Sequence, residues 1–176
     1  MTPATDTEVL AVVRASAGRR LIGLAALGGL GVMLIYIALA RPPELVWQIF
    51  LIVVGLGALW MANAMRRATA GQVELTETEL RDSDGTVLAQ VADIESMDRG
   101  FFAFKPSNGF LLKTRSGAGR VWRPGLWWRM GRRIGIGGMT PGSQTKFMSE
   151  ILAALVAQRD QPEPQPETEI DANRLK

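Results

Sequence analysis

Two apolar runs without a charged side chain, LIGLAALGGLGVMLIYIALA (Leu21–Ala40) and LVWQIFLIVVGLGALWMANAM (Leu45–Met65), are separated only by RPPE (Arg41–Glu44). At about 1.5 Å per helical residue, each run reaches across a hydrocarbon layer of roughly 30 Å. So short a link forces the two helices antiparallel. Pro42 and Pro43 end the first one, because proline has no amide hydrogen to give to the next helical bond. The expectation is a transmembrane hairpin over residues 21–65. Gln48 and Asn63 are its polar interruptions, both near the ends of the second run. With no acidic or basic residue inside either run, the hairpin alone offers no ion path or proton relay.

The first run is too long, and starts too late, for the apolar core of a cleaved leader, and a second run follows at once. Basic flanks set the direction. Arg14, Arg19 and Arg20 precede the first run and Arg66 and Arg67 follow the second, whereas the link holds Arg41 with Glu44 close by. Both termini are therefore expected on the cytoplasmic side, as in a multi-pass membrane protein, with Trp47 and Trp60 as interfacial anchors. Ala25 and Gly29, four residues apart, share a helix face and are expected to pack within the hairpin rather than against another membrane protein. In the segment 1–20, TDTEVLAVVRASAGRR reads as a short helix, capped by Thr5 or Asp6 and lying along the inner membrane face.

After Arg67 the periodicity changes from helical to alternating. QVELT (Gln72–Thr76) alternates, and ELRDSDGTVLAQV (Glu79–Val91) holds an Asp84–Gly85 turn between two short strands. IESMDRG reads as a further strand. FFAFK and GFLLKTR flank a PSNG turn, and RVWR and RRIGIGG are the last strand candidates, on either side of Pro124–Gly125. TPGSQTKFMSEILAALVAQR reads as a helix capped by Thr140, with Pro141 first in the helix and Phe147, Ile151, Ala154 and Leu155 on its apolar face. The proline-rich acidic tail, 160–176, has too little apolar surface to fold. Several antiparallel strands closed by a terminal helix suggest a small barrel or sandwich over residues 72–159.

The run of QVELTETELRDSDGTVLAQVADIESM and the closing helix resembles the bacterial membrane-anchored proteins that carry a pleckstrin-homology-like (PH-like) domain after a two-helix hairpin. The resemblance implies a partly open, seven-stranded barrel capped by a C-terminal helix, and binding or scaffolding rather than catalysis. No inositol-phosphate motif maps onto this chain, so that ligand is not carried over.

The chain has no cysteine and no histidine, which removes disulfides, thiolate nucleophiles, the usual zinc sites and most Ser-His or Cys-His catalysis. Net charge is only +3, yet no acidic residue occurs between Arg99 and Ser149, a span that contains RVWRPGLWWRMGRR (Arg120–Arg133). A block of one sign that long sets up a field. Arg120, Arg123, Arg129, Arg132 and Arg133 suit phosphate oxygens, and Trp127 and Trp128 suit a headgroup layer or a partner surface. Trp122, inside a strand, is expected in the core. For Trp127 and Trp128, core filling and surface contact are both open readings. Nucleic acid is not expected beside a membrane anchor.

GIGGMTPG fails the dinucleotide pattern, because Thr140 stands at the third glycine position. Asp82, Asp84, Asp93, Glu95 and Asp98 have no calcium-loop spacing. No cofactor or metal is expected. The functional expectation is a non-enzymatic scaffold, accessory subunit or assembly factor that meets anionic phospholipid headgroups, or a membrane complex, through its Arg/Trp edge. The alternative is a membrane-bound enzyme using carboxylates or the Ser143/Lys146 pair.

Overall fold

The computed structural model describes residues 8–98 and 106–161. It has two long apolar helices and a separate, mainly-β domain. The helices are α1 (Ala17–Ala40) and α2 (Leu45–Ala68), each long and apolar enough to cross a membrane. Only 11% and 6% of their most apolar windows are buried, so these are not core helices of the β-domain. They touch each other through Gly31 and Gly55. A Cβ on Gly31 would stand 2.8 Å from the Gly55 carbonyl oxygen, so glycine there is what lets the backbones approach. Ala25 and Gly29, expected on this seam, face outward instead. The Gln48 side-chain amide donates to the Ala38 carbonyl at 3.0 Å, so this polar group keeps a partner inside the apolar pair.

The chain enters the β-domain before the hairpin begins. Residues expected to be helical form strand β1 (Ala11–Arg14), which pairs antiparallel with β2 (Gln72–Leu75) from Ala11↔Leu75 to Arg14↔Gln72. The reason lies in AVVR itself. Ala11 and Val13 alternate inward and β-branched valines suit a pleated surface, while the pairing partner lies some sixty residues along the chain, beyond any local pattern. The helical hairpin is thus an insertion between two neighbouring strands. The β-domain is tethered at two adjacent points, by Ala15–Ser16 and by Thr69–Gly71.

Sheet A continues with β3 (Glu79–Asp82) and β4 (Val87–Gln90), in the order β1-β2-β3-β4. The β3–β4 turn is the expected one: Gly85 has φ 86°, and the Asp84 carboxylate accepts from the Thr86 amide at 2.9 Å. A 3-10 turn (Val91–Asp93) leads into sheet B, formed by β5 (Ile94–Asp98), β6 (Phe110–Arg123) and β7 (Trp127–Ile136). The expected strand FFAFK lies outside the described residues. GFLLKTR and RVWR, read as two strands, are one long bulged strand, and RRIGI, read as a strand of its own, is the second half of β7.

Seven antiparallel strands in sheets of four and three, followed by helix α3 (Gly142–Arg159), replace the expected barrel. No ladder joins the two sheets among the described residues. They share one core, centred on Val13, Leu75, Leu80, Ile94, Phe110, Leu112, Trp127 and Ile134. α3 covers it with Met148 and Leu152, flanked by Thr145 and Ser149, while Phe147, expected inward, is exposed. Pro141, not Thr140, holds the cap position, and Thr140 is buried. Arg159 ties the far end of α3 to the corner between the sheets, donating to the carbonyls of Val91, Ala92 and Ile94 at 2.9–3.1 Å.

Candidate functional site

The Arg/Trp stretch occupies the β6–β7 ribbon, and the ribbon is rolled. Two register shifts interrupt its ladder, between Lys113 and Ala118 and between Ala118 and Val121, and Gly131 takes φ 60°. Bulges bend a strand and sharpen its twist. The Pro124–Gly125 turn therefore swings back to the base of the same ribbon. The Gly137 amide donates to the Leu126 carbonyl and the Met139 amide to the Gly125 carbonyl, each at 2.9 Å. On the side of the roll that faces away from the core, Gly135 lies under the Trp128 indole so closely that a Cβ would come within 2.4 Å of the ring.

Rolling divides the aromatic residues. Leu126 and Trp127 enter the core, and the Trp127 indole N–H donates to the Asp82 carboxylate at 2.7 Å. Burying an indole needs such an acceptor. Trp127 is thereby removed from any ligand or partner surface. Trp122, expected in the core, is 51% exposed. Neighbouring strand positions point to opposite faces, and placing Trp127 inward puts Trp128 and its cross-strand partner Trp122 on the outer face.

The arginines divide too. Arg123 forms an ion pair with Asp84 across the two hairpin tips and lies 3.9 Å from Asp82. Arg129 reaches across to the neighbouring sheet and donates to the carbonyls of Val87 and Leu88 at 2.8 and 3.2 Å. Arg132 donates to the Thr114 carbonyl at 2.8 Å and pairs with Glu95. Three of the five arginines of the stretch are thus fastened to the protein. Arg120 and Arg133 are exposed and pair with no carboxylate among the described residues.

The unpaired pair rims a concavity of about 700 Å³ inside the rolled ribbon, lined by Leu111, Val121, Trp122, Trp128 and Met130, with Pro106 at one edge. A second, smaller gap of about 280 Å³ lies between the ribbon tip and α2, bounded by Trp60, Ala64 and Arg67 on the helix and Trp122, Arg123 and Pro124 on the tip. Trp60, Ala64 and Arg67 recur at helical spacing and form one stripe. Trp122 belongs to both spaces. The tip is held there by the two-point tether and by its own packing: the Ser16 amide donates to the Met139 carbonyl at 2.8 Å, Arg19 donates to the Thr140 carbonyl at 2.9 Å, and Gly125 sits against Thr69 and Met139.

The carboxylates hold structural positions. Ser116 binds Asp93 through both its amide and its hydroxyl, and this holds the Asp93 carboxyl below its ordinary value. The Lys113 ammonium, bonded to Glu95 at 2.7 Å, lowers that carboxyl, and the charges of Arg132 and Arg115 add to the effect. Ser143 is exposed, and the Lys146 side chain is 79% exposed with Glu150 3.9 Å away. No hydrogen bond joins Ser143 to Lys146 among the described residues. No protein-family model, curated protein or solved structure matches this chain.

Proposed function

We propose that the protein is a non-enzymatic membrane module. In this reading α1 and α2 span a bacterial inner membrane with both termini cytoplasmic. The β-domain rests on the cytoplasmic face as a PH-like scaffold or accessory subunit, and its outer ribbon face engages anionic headgroups. The observation that carries the reading is the tether: the hairpin is inserted between paired strands, and this presses the Trp122-bearing tip against α2 beside Trp60 and Arg67. Trp60 and Trp122 share one level there, as side chains with an apolar body and a polar edge do at a headgroup layer. Arg120 and Arg133 border the concavity on that ribbon, with no carboxylate paired to them among the described residues. Basic residues at an anionic leaflet each contribute about 1 kcal/mol. Among the described residues, seven antiparallel strands followed by a helix support the PH-like reading, as does the seam between the sheets, where no ladder joins them.

Topology is open to direct test because the chain has no cysteine. Single cysteines at Pro42 and at Ala92 should react with a membrane-impermeant maleimide from opposite sides of inverted vesicles. Labelling of both from one side sinks the arrangement. Headgroup engagement is read by extracting the full chain in mild detergent and weighing the lipids that travel with it. Anionic lipid should be enriched with the native protein and not with the Arg120→Gln/Arg133→Gln variant. A stoichiometric membrane protein lost in that same variant would instead make the face a protein-docking surface.

A further inference from the structure

We propose that the concavity of the rolled ribbon holds an acyl chain of an anionic bilayer phospholipid, with the phosphate on Arg120 and Arg133 and the chain along Val121, Trp122, Trp128 and Met130. A lipid drawn partly out of the leaflet in this way deepens the headgroup reading above, and rests on it for the membrane's position.

Three independent observations converge on this occupant. The first is the lining. A headgroup reader needs cations on a polar surface, yet the wall between these two arginines is apolar, and Trp122 and Met130 remain 51% and 50% exposed on it. The volume, about 700 Å³, falls within the roughly 300–1,000 Å³ of small-molecule sites, which are likewise mainly apolar with a few placed polar groups.

The second is charge. Within one short ribbon, Arg123, Arg129 and Arg132 are each fastened by the protein's own acceptors, while the two that rim the concavity are left without a carboxylate among the described residues. An arginine pair at the edge of an apolar trough matches a phosphodiester joined to a hydrocarbon chain. It does not match a wholly apolar or wholly polar ligand.

The third is access. Trp122 forms part of the wall of the concavity and part of the gap beside Trp60, Ala64 and Arg67 of α2. Trp122 therefore joins the two spaces, with Arg67 and Arg123 also bordering the gap beside α2. A chain leaving the bilayer along α2 meets Trp60, Ala64 and Trp122 on the way, and each such contact spares it part of the cost of exposure to water, about 0.8 kcal/mol per methylene.

The test uses the full chain reconstituted in phosphatidylcholine vesicles. These contain a minor fraction of either phosphatidylglycerol or phosphatidylcholine with a diazirine in mid-chain. After irradiation, labelled peptides are mapped by mass spectrometry. Both probes should label α1 and α2, which provide the internal control for reconstitution. Only the phosphatidylglycerol probe should also label the ribbon, at Val121, Trp128 or Met130. Met130→Glu, at a half-exposed position where folding is not at stake, should abolish ribbon labelling and leave helix labelling intact. Arg120→Gln and Arg133→Gln should each lower it about fivefold. Helix labelling without ribbon labelling overturns the proposal. Equal ribbon labelling by the neutral probe also overturns it, because the arginines then select nothing. Ribbon labelling blocked by a copurifying polypeptide overturns it in favour of a protein partner. The headgroup reading is judged separately, by the lipids extracted with the protein. Anionic enrichment there with an unlabelled ribbon leaves that reading standing and the chain site refuted.

Discussion

The two faces of the β6–β7 ribbon use the same two residue types in opposite ways. Inward, Trp127 is fully enclosed and bonded to Asp82. Outward, Trp122 is half exposed. Arg129 is locked to the carbonyls of the neighbouring sheet, whereas Arg120 pairs with no carboxylate among the described residues. A block of arginine and tryptophan is thus not one surface. The strand alternation and the roll of the ribbon sort it into a fastening set and a free set, and only the free set is available to a ligand. If this division is right, substitutions on the two faces must have different consequences.

The largest effect is expected at Trp127. Trp127→Ala removes a core indole and takes from the Asp82 carboxylate, 4% exposed, the donor at 2.7 Å, leaving it the Ser83 hydroxyl at 3.2 Å. Large-to-small core changes of this kind cost about 3–5 kcal/mol, enough to unfold many small domains. Loss of the cooperative thermal transition of the β-domain, with α1 and α2 still helical by circular dichroism, is the expected result. A transition at the native temperature would mean that Trp127 is not a core residue, and the sorting of faces would fail. Next comes Arg129→Gln. Its guanidinium crosses between sheets that no ladder joins among the described residues, so the variant should lose about 1.5–3 kcal/mol, as for hydrogen bonds made by a charged group. A loss within error would show that β4 and β7 are held by the core alone.

The hairpin was legible in the sequence because its signal is composition over twenty residues and needs no partner. The Asp84–Gly85 and Pro124–Gly125 turns were legible for a similar reason, since each depends on one or two residues with restricted or permissive backbones. What was hidden is whatever depends on distant pairing. AVVR looks helical until Gln72–Leu75 is placed beside it. The Arg/Trp edge looks like one patch until the bulges roll the ribbon and bring Gly137 to Leu126. Trp122, expected inside, faces outward, and the open reading of Trp127 closes on the core, because the alternation was counted along separate short strands. The tight turn and register that set which position faces inward became visible only in the paired ribbon. On α3 the most buried stripe is mixed, Thr145, Met148, Ser149 and Leu152, so an apolar count found Ile151 and Leu155, which do pack against the core, but also put the exposed Phe147 and Ala154 inside.

Acid should loosen the fastening set in a defined direction. Glu74 is lowered by its bond from Gln72 and by Arg81, Asp84 by its bonds from Thr86 and by Arg123, Asp93 by Ser116, and Glu95 by Lys113. A carboxylate with a depressed native pKa stabilises the fold fully above its unfolded value of about 4, and that stabilisation is lost as pH falls through the native value. The β-domain's melting temperature should therefore be level between about pH 5 and 7 on this account and fall below about pH 4. Salt should reduce the fall, because these pairs are largely exposed. A domain whose stability rises on acidification would contradict the assigned pairs.

The smallest effect on stability is expected from the most conspicuous exposed side chain. Trp122→Ala removes as many atoms as Trp127→Ala, from the strand directly paired with it, yet half of that indole already faces outward and its nearest neighbours are the concavity and the α2 gap rather than the core. With no buried acceptor left behind and no enclosed cavity opened, the loss should stay within about 0.5 kcal/mol, as for surface changes elsewhere. Equal melting temperatures for Trp122→Ala and the native chain, measured beside the collapse of Trp127→Ala, would separate the two faces by a single experiment on one residue type. A Trp122→Ala loss approaching that of Trp127→Ala would mean that the tip's contact with α2 is itself structural. The interfacial role given to Trp122 would then have to pass to Trp60 on the helix.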